Sequence, residues 1–589
     1  MRKLFISFVT AVLLASCSAD SLMKETELDL TDTEKVYSDI TLTRKVAYDL
    51  YARMRMGRDR LGSFGFLANI GGSPCMLDNA TDDGAGNTTR AGGAVIPELE
   101  KFIKGGIDAS KGLIGGDHPW IFYYKAIRSA NTFLNNVDRS PLEDAEKISL
   151  KNQVRFLRAL YHHELFRFYG ALVIGDKELD PLLYDEIKRE SLETTVRWIA
   201  NEFKELAEPG VLPDKYDAAD YGRATRGAAL GYLARTLLYA ASPLHNASGV
   251  TWREAADAAY DMIEYADNGD FYRLYEDPTT PEKSYTRLFN TRANGEVIMG
   301  FLRAPANDLY GMMPAFDPWN VNKELLTCPN QWLVDCYDML DGSQPILGYE
   351  SNTKAIINPN SGYNVNSPYA NRDPRLAQSI LCDGATWPLV NGKPAAIDLS
   401  KSYRWGSGYF LTKFLDDRID HRKGGTTYMD FPMMRYAEIL LDYAEAENEA
   451  EDTNTAREKA IAQLNRIRRR AGITTDLLTA DYNQATLRER IRKERRVELC
   501  FEDHRFFDIR RWLIAKDVMR LPAVGIKKIN GEYQRVTLDT RNYNERMNLA
   551  PIPQDEVNNC PNIYQNPGCL LYTSPSPRDR TRSRMPSSA

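Results

Sequence analysis

The sequence predicts an all-helical protein with long, loop-rich inserts, and two observations support this prediction. First, apolar residues recur at spacings of three, four and seven, as in Trp120, Tyr124, Ile127 and Leu134, which is the pattern of an amphipathic helix. Second, short aromatic stretches broken by Pro, Gly, Asn and Asp fill the region 242–431, which indicates loops with a few helices and short strands. Because binding residues concentrate on loops held by a rigid scaffold, we expect the ligand face in this region.

The predicted helices form an N-terminal and a C-terminal group. Thr455 and Glu458 have the spacing of a capping box, and Gly472 is the expected residue after the end of that helix. The predicted helices cover residues 119–137, 153–169, 222–241, 435–450, 455–471 and 487–499. We expect the tryptophans in helical blocks to pack in the core, namely Trp120, Trp332 and Trp512.

The first residues predict export and a lipid anchor. Two basic residues precede an apolar run over 4–14, which is typical of a secretory signal and too short to span a bilayer. Leu-Ala-Ser then precedes Cys17, which resembles a bacterial lipobox, whose cysteine is acylated. Ser18 follows, not the aspartate of an inner-membrane retention signal, so we expect the outer membrane. We predict a signal peptide over 1–16, with an unmodified cysteine as the alternative, and a lipidated, flexible linker over 17–40.

The other end of the chain has an unusual composition. Residues 569–589 resemble an in-frame read-through of a sequencing adapter more than a protein segment, with a basic disordered tail as the alternative. We exclude them from fold reasoning. We expect one folded domain over 41–568, with a helical part at 41–241, the loop-rich ligand region at 242–431 and a second helical part at 432–568.

Composition excludes some classes of function. The formal net charge is −6 and the two ends are basic, so the remainder is more acidic still, which argues against nucleic acid as a partner. The cysteines are scattered without a CxxC pair, which disfavours zinc or thioredoxin-like chemistry. Cys328 and Cys336 are close enough in sequence to pair in an oxidising compartment, and the sequence leaves this open.

Several separated motifs occur in order along the chain, and together they resemble the SusD/RagB family of Bacteroidetes nutrient-uptake lipoproteins. One departure is Asp503, where the family more often has glycine. The motifs are YKAIRSANTFL at 124–134, RFLRALY at 155–161, GRATRGAA at 222–229, NRDPRL at 371–376, RYAEILL at 435–441, NRIRRRAG at 465–472, ERRVELCFEDHRFFDIRRW at 494–512, PIPQ at 551–554 and QNPG at 565–568.

The resemblance implies an all-α fold of tetratricopeptide-like helix pairs whose inserted loops form the ligand face. It also implies a lipid-anchored, surface-exposed outer-membrane protein that caps a SusC-like TonB-dependent transporter. Such a protein captures oligosaccharides and delivers them to the transporter without breaking a bond. Two alternatives remain: capture of peptides in a RagB-like uptake complex, and a surface glycoside hydrolase.

A saccharide site needs an aromatic face for the C–H side of a pyranose and polar groups for its hydroxyls. Tyr310 and Trp319 stand in loop context with polar neighbours, and Trp387 and Trp405 are second choices, although each aromatic could equally pack in the core. The predicted binding residues are Trp319, Tyr310, Asp317, Asn320, Asp82, Asp83, Trp387 and Trp405.

The two aspartates in that list belong to an oxygen-rich loop, Asp-Asn-x-Thr-Asp-Asp-Gly at 78–84. Its spacing does not fit an EF-hand. We interpret it as a hydrogen-bonded turn or a glycan-contacting loop. We expect no cofactor, and Ca²⁺ bound here is the alternative.

Two further groups could suggest chemistry. Glu494 and Glu498 lie four residues apart on one helical face, but the arginines around them favour ionised carboxylates, whereas a general acid needs a raised pKa. His162 and His163 are adjacent on a helix and point about 100° apart, so they do not converge on a metal. We interpret the glutamates as an ion-pair network and the histidines as scaffold residues, and predict no enzyme.

Overall fold

The computed structural model describes residues 33–54, 77–85, 97–110, 118–178, 185–306, 327–390, 392–400, 406–428 and 430–569. Helices account for 49% of it, and the strands are few and short. The helices are α1 (Thr33–Ser38), α2 (Ile40–Tyr51), α3 (Pro97–Lys104), α4 (Pro119–Asn136), α5 (Asp144–Tyr169), α6 (Leu192–Leu206), α7 (Arg226–Ala241), α8 (Trp252–Gly269), α9 (Ser284–Arg287), α10 (Gln331–Cys336), α11 (Pro374–Ser379), α12 (Tyr436–Ala450), α13 (Asn454–Arg470), α14 (Gln484–Glu498), α15 (His504–Arg511), α16 (Ala515–Val518) and α17 (Gln554–Asn559).

The long helices pack as a continuous row. Helix α4 packs against α5, α5 against α6, α6 against α7 and α7 against α8. Helix α8 then packs against α12, which also contacts α13 and α14. The N-terminal and C-terminal helical groups are therefore joined through α8 into one scaffold, although the chain between α8 and α12 runs through the loop-rich region.

The six helices predicted from periodicity are all present. Five of them begin and end within four residues of the prediction, and the helix predicted to begin at Gln153 begins nine residues earlier, at Asp144. The predicted capping box at Thr455 is wrong, because the helix begins earlier: the Thr453 side chain accepts from the N–H of Ala456 at 3.1 Å. Gly472 follows that helix as expected, with a φ of 88°. The tryptophans Trp120, Trp332 and Trp512 are buried as predicted.

Helix α8 lies in the stretch expected to be mostly loops, so the helical scaffold extends further along the chain than predicted. It begins with a capping box, in which the Thr251 side chain accepts from the Glu254 N–H and Glu254 accepts from the Thr251 N–H. Its buried face is largely alanine, which lets the helix approach α7 and α12 closely. Because most of its buried residues are alanines between acidic residues, its sequence does not show a clear apolar periodicity.

The strands form small antiparallel pairs between and beyond the helices. They are β1 (Val297–Phe301), β2 (Ile346–Ser351), β3 (Lys354–Ile357), β4 (Ile380–Leu381), β5 (Thr386–Val390), β6 (Lys393–Ala396), β7 (Phe410–Leu411), β8 (Phe431–Arg435), β9 (Ala523–Ile529) and β10 (Glu532–Asp539). The pairs are β1 with β8, β2 with β3, β4 with β7, β5 with β6, and β9 with β10. Strand β8 ends directly before α12, so the pair of β1 and β8 continues into the scaffold.

The turn after α14 explains the one departure from the family motif. Asp503 has a φ of 64°, in the left-handed region that glycine adopts without strain. The buried carboxylate of Asp78 accepts from the N–H groups of Phe501 at 3.2 Å and Asp503 at 3.3 Å. These two hydrogen bonds help to hold the turn with an aspartate in place of glycine.

No helix among the residues that the structure describes is long and apolar enough to cross a membrane.

Candidate functional site

An open groove with an aromatic and arginine-rich lining lies beside α2. Its volume is about 490 Å³, within the usual range for ligand sites. Helix α2, the turn before α7 and the chain leaving β1 form its walls. We call it the aromatic groove; it is lined by Tyr48, Tyr51, Ala52, Met54, Ala219, Asp220, Tyr221, Gly222, Arg223, Gly300, Phe301, Leu302, Arg303 and Ala304.

Helix α2 presents Tyr48 to the groove. Asp39 caps the helix by accepting from the Leu42 N–H at 2.8 Å. Thr43, Ala47 and Leu50 are its buried residues. Tyr48 lies outside this buried stripe and is 38% exposed, so solvent and ligands can reach part of its ring.

Arg223 holds the ring of Tyr48 in place. Its guanidinium carbon lies 4.9 Å from the centroid of that ring, and its Nη2 donates to the Tyr48 hydroxyl at 2.8 Å. Asp220 pairs with the same guanidinium at 2.7 Å, and the ring of Tyr216 lies 5.8 Å from it. A cation over an aromatic face is attractive, and four contacts on one side chain fix the geometry before any ligand arrives.

Gly222 allows this turn to approach β1. Its φ is 94°, which disfavours any residue with a Cβ. A Cβ at position 222 would also clash with Cδ1 of Leu302. The local sequence Tyr-Gly-Arg therefore places Tyr221 and Arg223 on the groove wall because the residue between them has no side chain.

An ion-pair network supports the wall that the chain leaving β1 forms. Asp430 accepts from Arg292 through both carboxylate oxygens at 2.7 Å and from the backbone N–H of Arg303 at 2.7 Å. Burial raises the pKa of Tyr221 to about 12, and the negative charge of Asp430 makes a smaller contribution in the same direction. This tyrosine therefore stays a neutral hydrogen-bonding group. Arg292 also stacks over the 39% exposed ring of Tyr428 at 4.1 Å.

Most of the binding residues predicted from the sequence cannot be located. Tyr310, Asp317, Trp319, Asn320 and Trp405 lie outside the described residues, as does the predicted lipidation site at Cys17.

Trp387, the remaining predicted aromatic, is in strand β5 and is 6% exposed. Its ring packs among the side chains of the hydrophobic core and offers no open face. The prediction that Trp387 contacts a ligand is therefore corrected.

Asp82 and Asp83 are also buried, and arginines pair with both of them. Asp82 accepts from Arg505 through both oxygens, at 2.8 and 2.9 Å, and pairs with Arg496 at 2.9 Å. Asp83 pairs with Arg496 at 2.5 Å. Burial alone would raise the pKa of Asp82, but the charges of these arginines outweigh it and lower the pKa. The expectation that the two aspartates face a ligand is therefore corrected: they clamp residues 77–85 to the C-terminal helices.

The same loop was the alternative Ca²⁺ site. Its carboxylates are engaged by arginines and backbone N–H groups, and within the described residues no group of three or more His, Cys, Asp or Glu side chains is arranged to hold a metal ion. The cysteines that the structure describes, Cys328 and Cys336 among them, are free thiols.

Glu494 and Glu498 form the centre of a buried ion-pair network, as interpreted from the sequence. Glu498 accepts from Arg375 at 2.9 Å and from Arg435 at 2.7 Å, and also pairs with Arg470. Burial favours a raised pKa, but the charges of the three arginines outweigh it and lower the pKa of Glu498. Neither glutamate is accessible to solvent, so neither is placed to donate a proton to a substrate.

His162 is a scaffold residue, as interpreted. Its Nδ1 lies 2.8 Å from the Arg158 carbonyl oxygen, and its Nε2 accepts from the Gly175 N–H at 3.0 Å. These two contacts fix the neutral tautomer with the proton on Nδ1. Burial lowers the pKa of His162 to about 3.

The aromatic groove is not among the sites predicted from the sequence. Tyr48 and Tyr51 belong to none of the family motifs, and Arg223 lies in the motif GRATRGAA, which predicts a helix. One signal was available: Tyr48 falls outside the apolar spacing of Ala47 and Leu50, which marks an aromatic side chain on the solvent side of a helix.

The fold is a helical-repeat scaffold with an open groove, and comparison with known proteins identifies the family to which it belongs. Residues 287–568 match the family model described as "SusD family", and residues 117–238 match the model described as "Starch-binding associating with outer membrane". The two matches together span most of the chain.

Individual relatives agree with these matches. A SusD-like protein from Bacteroides fragilis has a solved structure that superposes with a TM-score of 0.72 at 26% identity, covering 90% of this chain and 98% of that one. A surface glycan-binding protein A from Bacteroides fluxus and a laminarin-binding SusD-like protein each superpose with a TM-score of 0.56 at 20% identity, covering 90% of this chain and 100% of theirs. These two share the fold.

A curated sequence relative, SusD-like protein P2 of Formosa agariphila, is 32% identical over 154 residues, which is 25% of this chain and 27% of that protein. The chain belongs to the SusD/RagB family, and its scaffold is the tetratricopeptide-like helical fold of SusD-like structures.

Proposed function

We propose that this chain is a non-catalytic surface lipoprotein that captures oligosaccharides and delivers them to a SusC-like TonB-dependent transporter in the outer membrane. The observation that carries the proposal is the fixed stack of Arg223 on the half-exposed ring of Tyr48, in an open groove on this scaffold.

The groove has the two features that a saccharide needs. The ring of Tyr48 offers an apolar surface to the C–H face of a pyranose, and Arg223, Asp220 and Arg303 bring charged hydrogen-bonding groups to the same walls. Ligand sites combine apolar walls with a few placed polar groups in this way. Because the Tyr48–Arg223 pair is already ordered, a ligand does not lose affinity to ordering it.

Relatives support the same class of ligand. Two of the proteins that share the fold are named for binding glycan or laminarin, and one matched family is described as starch-binding and associated with the outer membrane.

The absence of catalysis is proposed on chemical grounds. A hydrolase of this class needs two accessible carboxyl groups, one of them with a raised pKa. The sequence offers Glu494 and Glu498 as a pair, yet both are buried and arginines hold their pKa values below the ordinary range. The groove carboxylate, Asp220, is paired with Arg223.

Membrane attachment and partnership rest on the sequence. Cys17 follows a lipobox-like segment, and a lipid there would keep the binder at the outer surface beside its transporter. The residues between Cys17 and helix α1 would provide the tether.

Calorimetric titration of the purified chain with soluble oligosaccharides and with casein-derived peptides tests the class of ligand. Chromatography of the same mixtures tests whether the chain cleaves a saccharide. We expect saturable binding of at least one saccharide and unchanged saccharide after incubation. Saturable binding of peptides alone would replace the proposal with peptide capture, and release of shorter saccharides would replace it with hydrolysis. Copurification of a TonB-dependent barrel with the chain from native outer membranes tests the partner.

A further inference from the structure

A second cleft lies against helix α4, and none of its lining residues belongs to the aromatic groove. Its volume is about 360 Å³. Helix α4 forms one wall, the segment after α5 forms the facing wall, and α17 with the residues after it closes one side. Its floor and walls are mainly apolar: Trp120, Ile121, Tyr124, Ile127, Val173, Ile187 and Ile563.

Hydrogen bonds hold the facing walls in place. The Tyr124 hydroxyl donates to the Val173 carbonyl oxygen at 2.7 Å and accepts from the Val173 N–H at 3.0 Å. The Asn131 amide donates to the carbonyl oxygens of Gly175 at 3.1 Å and Lys177 at 2.8 Å. A Cβ on Gly175 would lie 2.7 Å from Cγ2 of Ile127, so glycine lets the two walls meet at the base. The cleft is therefore preformed.

These hydrogen bonds also occupy the polar side-chain groups of Tyr124 and Asn131 on the cleft wall. The Tyr124 hydroxyl and the Asn131 amide already have backbone partners, and Arg158 donates to the Asn131 side-chain oxygen at 3.0 Å. A saccharide with many hydroxyls would find few partners inside, and an unpaired buried hydroxyl is costly. The interior favours an apolar body instead.

Three cations surround the cleft. Lys125 and Arg128 are exposed on α4, three residues apart, and Lys177 is exposed on the facing segment. None of the three forms an ion pair with a residue that the structure describes. Two acidic residues, Glu178 and Glu556, also line the cleft. Glu178 accepts a hydrogen bond from the Thr132 hydroxyl. Burial, and to a smaller extent the charge of Asp555, raises the pKa of Glu556.

We propose that this cleft binds a small organic acid, with its apolar body against the partly exposed Ile121, Tyr124 and Ile187 and its anionic group at Lys125, Arg128 and Lys177. An arginine or lysine bound to a carboxylate forms the stronger, charge-assisted kind of hydrogen bond, and the apolar walls are enough to cover a phenyl ring or a short alkyl chain. The aromatic groove and this cleft thus select different chemistry on one scaffold.

Calorimetric titration with 3-phenylpropionate and with 3-phenylpropionamide tests the proposal, because the two probes share a body and differ in charge. Octanoate forms a third arm that separates an alkyl from an aryl preference. We expect 3-phenylpropionate to bind at one site and the amide to bind about tenfold more weakly or not at all, as expected when a charge-assisted hydrogen bond is lost.

Two variants locate the site. The double variant Lys125→Gln/Arg128→Gln should weaken the acid about tenfold and leave the amide unchanged, since it removes charge at the rim alone. Ile187→Trp, at a half-buried wall position, should abolish binding of both probes by filling the cleft. The double variant Lys393→Gln/Lys527→Gln, at exposed lysines on β6 and β9, removes the same two charges away from the cleft and should bind like the parent chain.

Absence of saturable binding by all three probes would overturn the proposal, as would an unchanged affinity in Ile187→Trp. Equal affinity for 3-phenylpropionate and its amide would overturn the role of the cations. Because Tyr48 and Arg223 are remote from this cleft, a Tyr48→Ala chain should bind the acid normally, so failure of the saccharide proposal and failure of this one give different results.

Discussion

Arg223 stacks on Tyr48 with 4.9 Å between its guanidinium carbon and the ring centroid, and it donates to the hydroxyl of the same tyrosine at 2.8 Å. One side chain thereby fixes both the plane of the ring and the direction of its hydroxyl. The aromatic groove is thus organised by residues from two distant parts of the chain, helix α2 and the turn before α7.

Replacing Arg223 by lysine should lower saccharide affinity, because an ammonium cannot stack as a plane and donate in two directions at once. We expect a loss of about threefold to tenfold, the size of a hydrogen bond or a cation–π contact, measured by calorimetry. Arg197→Lys is the matched control, because Arg197 forms a half-exposed pair with Glu254 outside the groove. Equal affinity in the two variants would contradict the role given to Arg223.

Gly222→Ala should destabilise the protein by about 1–3 kcal/mol, because it combines backbone strain with a clash against Leu302. The free energy of unfolding from urea titration measures this. Gly106→Ala is the control: its φ is not positive, and an added Cβ would meet its nearest neighbour at 3.6 Å. If the two variants are equally stable, the close approach at Gly222 is not a constraint on the groove.

Glu498→Gln should be far more damaging, since it leaves Arg375, Arg435 and Arg470 buried around a neutral partner. Removing one member of a buried ion pair destabilises by about 3–5 kcal/mol. Glu545, which pairs with Lys516 at the surface, provides the control, and Glu545→Gln should leave the urea midpoint unchanged. A Glu498→Gln chain as stable as the parent would show that the network is dispensable.

Stability should fall as the pH drops below about 6.5, in part because of His162. In the unfolded chain a histidine takes up a proton near its ordinary pKa of about 6.5, whereas in the folded chain the pKa of His162 is about 3. Between these values the unfolded state binds more protons, so acid favours unfolding. Urea titrations at pH 7.0 and 4.5 should show a smaller loss in His162→Gln than in the parent. The control is His421→Gln, at a half-exposed position. An equal loss in all three chains would refute this contribution.

The helical scaffold could be predicted from the sequence because periodicity is a local property. Trp120, Ile127 and Leu134 show their stripe within a few turns, and the helix is found where they predict it. The capping error at Thr455 arose because Thr453 and Asn454 are also good capping residues, and only the tertiary position of the first turn decides among them.

The site was harder to predict because its residues are distant in sequence and common in type. The sequence predicts Asp82 and Asp83 to be exposed loop residues that contact a ligand. Their ion-pair partners, Arg496 and Arg505, are more than four hundred residues away, so the neighbouring sequence does not indicate that the two aspartates are buried. Trp387 lies in a stretch predicted to be mostly loops, yet its side chain is buried in the hydrophobic core.

In the proposed function the aromatic groove captures saccharide through Tyr48, and calorimetry on Tyr48→Ala measures this contribution. Tyr564→Ala is the matched control, because Tyr564 is exposed and lies under Arg189 at the same 4.9 Å as Tyr48 lies under Arg223, but outside the groove. For the saccharide that binds the parent chain most tightly, we expect Tyr48→Ala to weaken binding about tenfold or more, as for loss of a stacking aromatic, and Tyr564→Ala to leave it unchanged. Unchanged affinity in Tyr48→Ala would contradict saccharide binding in the aromatic groove.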